Sequence, residues 1–172
     1  MADTVKKLVG RCAFTSISFM KVDAFIEAIE SHGSVYYKDL VWIEFKKPSG
    51  DGYEDKGKSM AINALKLKSL SIAIKEYVYN YNSNFKLFTD PKARGGSGGS
   101  KSIFFKAIEP NKDVEFNIVF KENNIPTYVK FSYFELLAFS EQISQLSDET
   151  MKYLYQAQRQ LYNTPKPIGK AS

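Results

Sequence analysis

Two stretches of this 172-residue chain follow one plan: aromatic-rich strands of alternating polarity run without a break into an amphipathic helix. The first plan ends in ALKLKSLSIAIKEYV (Ala64 to Val78), the second in PTYVKFSYFELLAFSEQI (Pro126 to Ile143). A strand turns successive side chains to opposite faces, whereas a helix repeats every 3.6 residues, so the change of period marks each junction. The strands come in two antiparallel runs, each closed by a helix. No strand–helix alternation demands a parallel sheet, and the fold class is therefore α+β.

The clearest strand is VYYKDLVWIEFKK (35–47). Val41, Ile43 and Phe45 point one way; Lys38, Leu40, Trp42, Glu44 and Lys46 point the other. LVGRCAFTSISF (Leu8 to Phe19) alternates well enough to be a strand. VDAFIEAIESHG (Val22 to Gly33) fits either a short helix or a strand, and its neighbours favour strand; His32 beside Gly33 reads as a turn. PSGDGYEDKG (Pro48 to Gly57) is a polar turn, and KSMAINALKLK (Lys58 to Lys68) is expected to return as the partner strand. Ser69 or Ser71 would then cap the first helix, its stripe set by Ile72, Ile74 or Lys75, and Tyr77 or Val78. FKLFTDP reads as a strand stopped by Pro91, and SIFFKAIE, VEFNIVFKEN and IPTYVKF as three more, with turns at Pro110–Asp113 and Glu122–Asn124. Ser132 begins a second helix through Gln145; Ser147-Asp148-Glu149-Thr150 resembles a capping box opening a third, ahead of a loose tail.

Composition narrows the function classes. Thirteen Phe, eleven Tyr and one Trp make aromatics 15% of the chain, a content that suits strands and base-stacking surfaces alike. A net charge of +5 and a pI of 9.1 fit a polyanionic partner and equally fit plain solubility, so the placement of the charge has to decide. Cys12 is the only cysteine and His32 the only histidine: no intrachain disulfide and no zinc cluster can form, and a reducing, intracellular home is expected. The N-terminus lacks the apolar core of a secretory signal, and no stretch approaches a membrane span. His32 has no triad context, and the acids are scattered among lysines, so neither catalysis nor a cofactor is expected.

The faces suggest where a ligand lies. Trp42 shares the polar face of its strand with Lys38 and Lys46, so a base can stack on the ring while the ammonium groups meet phosphates. The competing reading buries Trp42 under a helix. Phe104 falls beside Lys106, Val119 beside Lys121, and Tyr128 beside Lys130, opposite Val129 and Phe131. Four strands with one apolar and one basic face favour a binding surface, to which Lys58 is added at the edge of the first run. PKARGGSGGSKS is no phosphate loop, because Ser100 rather than Gly precedes Lys101-Ser102 and a strand follows. It reads as a long hairpin whose Lys92, Arg94 and Lys101 close over a polyanion, or equally as a solvated spacer.

The order of these features resembles the Whirly family of single-stranded-DNA-binding proteins. VGRCAF (Val9 to Phe14) is similar to the family's Lys-Gly-Lys-Ala-Ala-Leu motif, with Gly10, Arg11 and Ala13 aligning and Val9 replacing the first Lys. LVWIEFKKPSG (Leu40 to Gly50), SLSIAIKEYV (Ser69 to Val78), FKLFTDP and FSYFELLAFSEQI resemble further family segments in the same order, over residues 9–146. The Gly-Ser loop has no counterpart. The resemblance implies two four-stranded antiparallel sheets packed roughly at right angles, each followed by a helix, a fold shared with kinetoplastid guide-RNA-binding proteins and Pur proteins. It also implies a homotetramer joined through the helices, nucleic acid over the sheet edges, and Arg11 as a backbone contact.

The expectation is a single nucleic-acid-binding domain over 1–146, in halves of about 8–82 and 83–146, with a helix and tail over 147–172. It would bind single-stranded DNA, in preference to RNA, with little sequence specificity and as a homo-oligomer. Two alternatives stand: a single-stranded RNA-binding or annealing factor on the same fold, and a protein–protein scaffold.

Overall fold

A computed structural model describes residues 6–15, 19–89 and 99–163. In chain order the elements are β1 (Lys6–Thr15), β2 (Phe19–Ser31), β3 (Ser34–Lys46), β4 (Pro48–Ser49), β5 (Gly52–Tyr53), β6 (Lys58–Ile62) and α1 (Ala64–Asn80). There follow β7 (Lys86–Thr89), β8 (Lys101–Phe105), β9 (Phe116–Glu122), β10 (Ile125–Phe131) and α2 (Tyr133–Asn163). Two four-stranded sheets form, in the orders β1-β2-β3-β6 and β10-β9-β8-β7, and every pairing in them is antiparallel. The small β4–β5 ribbon stands between β3 and β6. The expected α+β plan of two sheets, each followed by a helix, is what the chain adopts.

The ambiguous segment 22–33 lies in strand β2 and its turn. His32 and Gly33 take φ of 52° and 74°, and Ser31 pairs with Ser34 around them. Two successive left-handed residues match the twist of a two-residue hairpin, which is why a Gly sits there. Asn123 and Asn124, at 49° and 66°, make the same kind of turn between β9 and β10.

Alternation fills one core from both sheets. Met20, Val22, Ala24, Val41, Ile43 and Phe45 face inward from the first; Ile103, Phe105, Phe116, Ile118, Phe120, Val129 and Phe131 do so from the second. The rings of Phe45 and Phe120 stack at 4.7 Å and join the two layers. Tyr77 of α1 stacks on Phe105 at 4.6 Å and meets Phe116 edge-on at 5.3 Å. Each large buried ring removes 150–250 Å² or so from water, a major part of what holds a small domain together.

Three helix expectations are corrected. KSMAINALKLK is not one strand: β6 stops at Ile62 and α1 opens at Ala64. Asn63 caps it by accepting the Lys66 N–H at 2.9 Å, and the Asp39 carboxylate accepts the Ala64 N–H. Ser69 and Ser71 lie inside the helix and return their hydroxyls to the Leu65 and Lys68 carbonyls. The buried stripe is Leu67, Leu70, Ile74, Tyr77 and Val78, while Ile72 is exposed. Nor does a helix end before residue 147: α2 runs unbroken over 31 residues. Its capping box is Ser132 with Glu135, in which the Ser132 N–H donates to the carboxylate at 2.8 Å and the Glu135 N–H donates to the Ser132 hydroxyl at 3.3 Å. Ser147 is buried and donates to the Ala64 carbonyl at 2.6 Å, as Ser140 does to that of Ser71 at 3.0 Å; both tie α2 to α1. The expected loose tail (164–172), the stop at Pro91, and Lys92 and Arg94 lie outside the described residues. No described helix is long and apolar enough to cross a membrane.

Candidate nucleic-acid interface

The outer face of the second sheet collects rings and cations by register alone. Lys86, Phe104, Val119 and Tyr128 occupy one row across β7, β8, β9 and β10. Phe88, Ser102, Lys121 and Pro126 form the next. Asn117 and Lys130 pair beyond, where the Lys106 N–H donates to the Asn117 carbonyl. Val119 is fully buried although it belongs to this outer face, while Phe88 and Tyr128 are each about half exposed, at 54% and 51%. Strands lie about 4.8 Å apart, so Phe104 and Tyr128, two strands apart, are separated by roughly 10 Å across the buried Val119. Among the described residues, Lys86, Lys106 and Lys121 form no ion pair; Lys130 pairs with Glu115, whose carboxyl it holds below the usual range by hydrogen bond and charge.

The outer face of the first sheet is built differently. In β1 the register shifts between Leu8 and Gly10, leaving Val9 as the extra residue of a bulge. Leu8 pairs with Phe25 and Arg11 with Asp23, so both Lys6 and Arg11 fall on the outer side. There Arg11 forks onto Asp23, with Nη2 at 3.1 Å, and the hydrogen bond and charge of Asp23 raise the guanidinium pKa. Lys21 reaches Glu44 at 2.9 Å and Asp23 at 3.5 Å; Lys38 reaches Glu27 at 3.2 Å. Trp42 is 37% exposed in their midst, with the Lys6 ammonium 6.0 Å from its ring centre. Burial of Trp42 under a helix is thereby excluded.

The residues singled out from sequence therefore separate into three groups. Phe104, Lys106, Lys121, Tyr128 and Lys130 share the second sheet's outer face. Arg11, Lys38, Trp42 and Lys46 share the first sheet's, with Lys46 at 3.9 Å from Glu44 and donating to the Asp55 carbonyl at 3.4 Å. Lys58 and Lys101 fall on neither outer face, since both have the parity of the inner faces. Lys58 pairs with the buried Phe45; Lys101 pairs with Glu122, 3.1 Å away, and donates to the Ser59 carbonyl at 2.7 Å, bridging the sheets. Sequence reading missed Lys86 and Phe88, although KLFT alternates around the buried Leu87 and carries the signal. It also missed Asp23 and Glu27, because the outward face of β2 is defined only once that segment is a strand.

No family model matches the chain, and no curated protein matches it in sequence. Solved structures do match it in shape. WHY1 from Arabidopsis thaliana superposes with a TM-score of 0.53 at 12% identity, over 96% of this chain and 97% of that one. The chain has the Whirly fold. WHY3 from the same plant gives 0.55 at 11% identity, over 91% and 93% of the two chains. The plant transcriptional regulator PBF-2 gives 0.54 at 14%, over 97% and 98%. On this Whirly framework VGRCAF is the bulged edge strand, and Gly10 is the point where β1 meets α2: a Cβ there would stand 2.8 Å from Leu146 Cδ1.

Proposed function

We propose that this protein binds single-stranded nucleic acid, DNA before RNA, on the outer face of its second sheet, without catalysis and with little sequence preference. The observation that carries the reading is the row Lys86–Phe104–Val119–Tyr128, with Phe88 and Lys121 in the row beside it. Unpaired bases can lie on the rings while lysines that have no carboxylate partner among the described residues meet the phosphates. Stacking is indifferent to base identity because every base has a π-face, and a duplex hides those faces. The likeness to a plant transcriptional regulator favours DNA as the ligand.

The working form is a homo-oligomer. Leu65, Ile72 and Tyr79 stand seven residues apart on α1 and are 64%, 57% and 61% exposed, an apolar stripe of the kind that helices bury against each other. Fluorescence anisotropy with matched DNA, RNA and duplex oligonucleotides at two salt concentrations tests the reading. Single strands should bind more tightly than duplex, DNA more tightly than RNA. Lys86→Ala with Lys121→Ala should flatten the salt dependence by about 0.7 per lysine. Equal affinity at low and high salt, or an unchanged slope in the double variant, would refute the mechanism.

A further inference from the structure

The first sheet carries the same ingredients as the second, rings and cations on one exposed face, with one addition. Each carboxylate there is shared between two cations. Glu27 lies 3.8 Å from Lys6 and 3.2 Å from Lys38; Asp23 holds Arg11 and lies 3.5 Å from Lys21; Glu44 lies 2.9 Å from Lys21 and 3.9 Å from Lys46. The acids come from the two central strands and sit low: Asp23 and Glu27 side chains are 10% and 13% exposed, against 42%, 55% and 49% for Lys6, Arg11 and Lys38. Around Asp23 and Glu27 the heads of Lys6, Arg11 and Lys38 thus form an outer layer over the carboxylates, whereas Glu44, at 24%, lies level with Lys21 at 28% and Lys46 at 23%. Rings fill the gaps, with the Lys6 ammonium 6.0 Å from both Phe25 and Trp42, and that of Lys46 5.6 Å from Phe19.

We infer that this face is a second site for the nucleic-acid backbone, kept weak by the protein's own carboxylates, which stand where phosphates would otherwise attract the cations. The inference rests on the proposed ligand of the second sheet. The cationic ends of the Glu27 pairs, Lys6 and Lys38, are 42% and 49% exposed and keep much of their hydration, so a phosphodiester chain can reach them and exchange with the carboxylate. A strand already anchored on the second sheet presents its phosphates at high effective concentration, which favours that exchange. A short strand, occupying only the open face, leaves the pairs intact.

The test is Glu27→Gln with Glu44→Gln in the full chain, read by anisotropy against a single-stranded DNA long enough to round the domain. Removing the competing charges should tighten binding about fivefold to tenfold at low salt and steepen the salt dependence by about 0.7 for each cation released. Adding Lys38→Ala and Lys46→Ala should shrink that gain without erasing it, because Lys6 and Lys21 are released as well and remain. A folded double variant with native affinity and slope overturns the inference, as does a gain undiminished by loss of the two lysines. Should the double variant not fold, Glu27→Gln alone, flanked by the exposed Lys6 and Lys38, gives the same comparison. A native chain that binds no single strand refutes the reading of the second sheet, and the glutamine variants still judge the first.

Discussion

The Tyr77 hydroxyl donates to the Lys106 carbonyl at 2.6 Å and accepts the Asn117 N–H at 3.3 Å. One phenol on the first helix thereby closes the end of the β8–β9 ladder, where the chain leaves the proposed binding face. Burial pushes its pKa up, so it stays a protonated donor.

Tyr77→Phe leaves the Lys106 carbonyl and the Asn117 N–H without that partner while preserving the ring stacks. An unmet buried polar group costs about 1–3 kcal/mol, so urea unfolding should shift by that amount with an unchanged slope. The unfolding midpoint of the variant, set against that of the native chain, checks it.

Phe104→Ala and Tyr128→Ala remove stacking surface from the outer row. Each should weaken single-strand binding by about 1–3 kcal/mol, roughly fivefold to 150-fold at room temperature. Phe88→Ala, one row away, should act in the same direction. Affinity that stays native in all three would place the ligand elsewhere.

Backbone and hydroxyl hydrogen bonds from Ser132 hold the Glu135 carboxyl below its ordinary pKa. A depressed acid stabilises the fold above its unfolded pKa, and that contribution is lost as pH falls through the folded value. Glu135→Gln should therefore flatten the acid limb of the stability curve and leave the neutral region lower. Thermal melts from pH 7 to pH 3 measure both.

Burial pushes the Cys12 thiol up to about 12. The unfolded chain ionises near 8.5, so stability from this group is complete below that pH and declines as pH rises towards the folded value. Alkylation at pH 8 should run about two to three orders of magnitude slower in the folded protein than in denaturant, because the thiolate is the nucleophile. Equal rates would contradict the burial.

The sheets were legible because period-2 alternation is strong where one face is buried. Val41, Ile43 and Phe45 against Trp42 and Lys46 left little choice, and Asn123-Asn124 marked its turn. Helix starts were harder. In ALKLK the leucines alternate like a strand, and the deciding contact comes from Asp39, 25 residues earlier. Ser147 looked like a cap because serine caps helices when exposed; here it is buried where α2 meets α1. The shared outer face of Phe104, Lys121, Tyr128 and Lys130 on β8 to β10 followed from alternation, whereas the fate of the first sheet's lysines did not. Their pairing depends on β2 presenting Asp23 and Glu27 directly across from Trp42 and Lys38, a matter of inter-strand register.

The ring contact between Phe45 and Phe120 has a topological consequence. It fixes the layers back to back through a shared interior, so no residue belongs to both outer surfaces. A polymer leaving one surface must round a rim before reaching the other. On the two-site binding proposed above, a single copy grips two separated stretches of one flexible strand, and the stiffness of a duplex would itself discourage the turn.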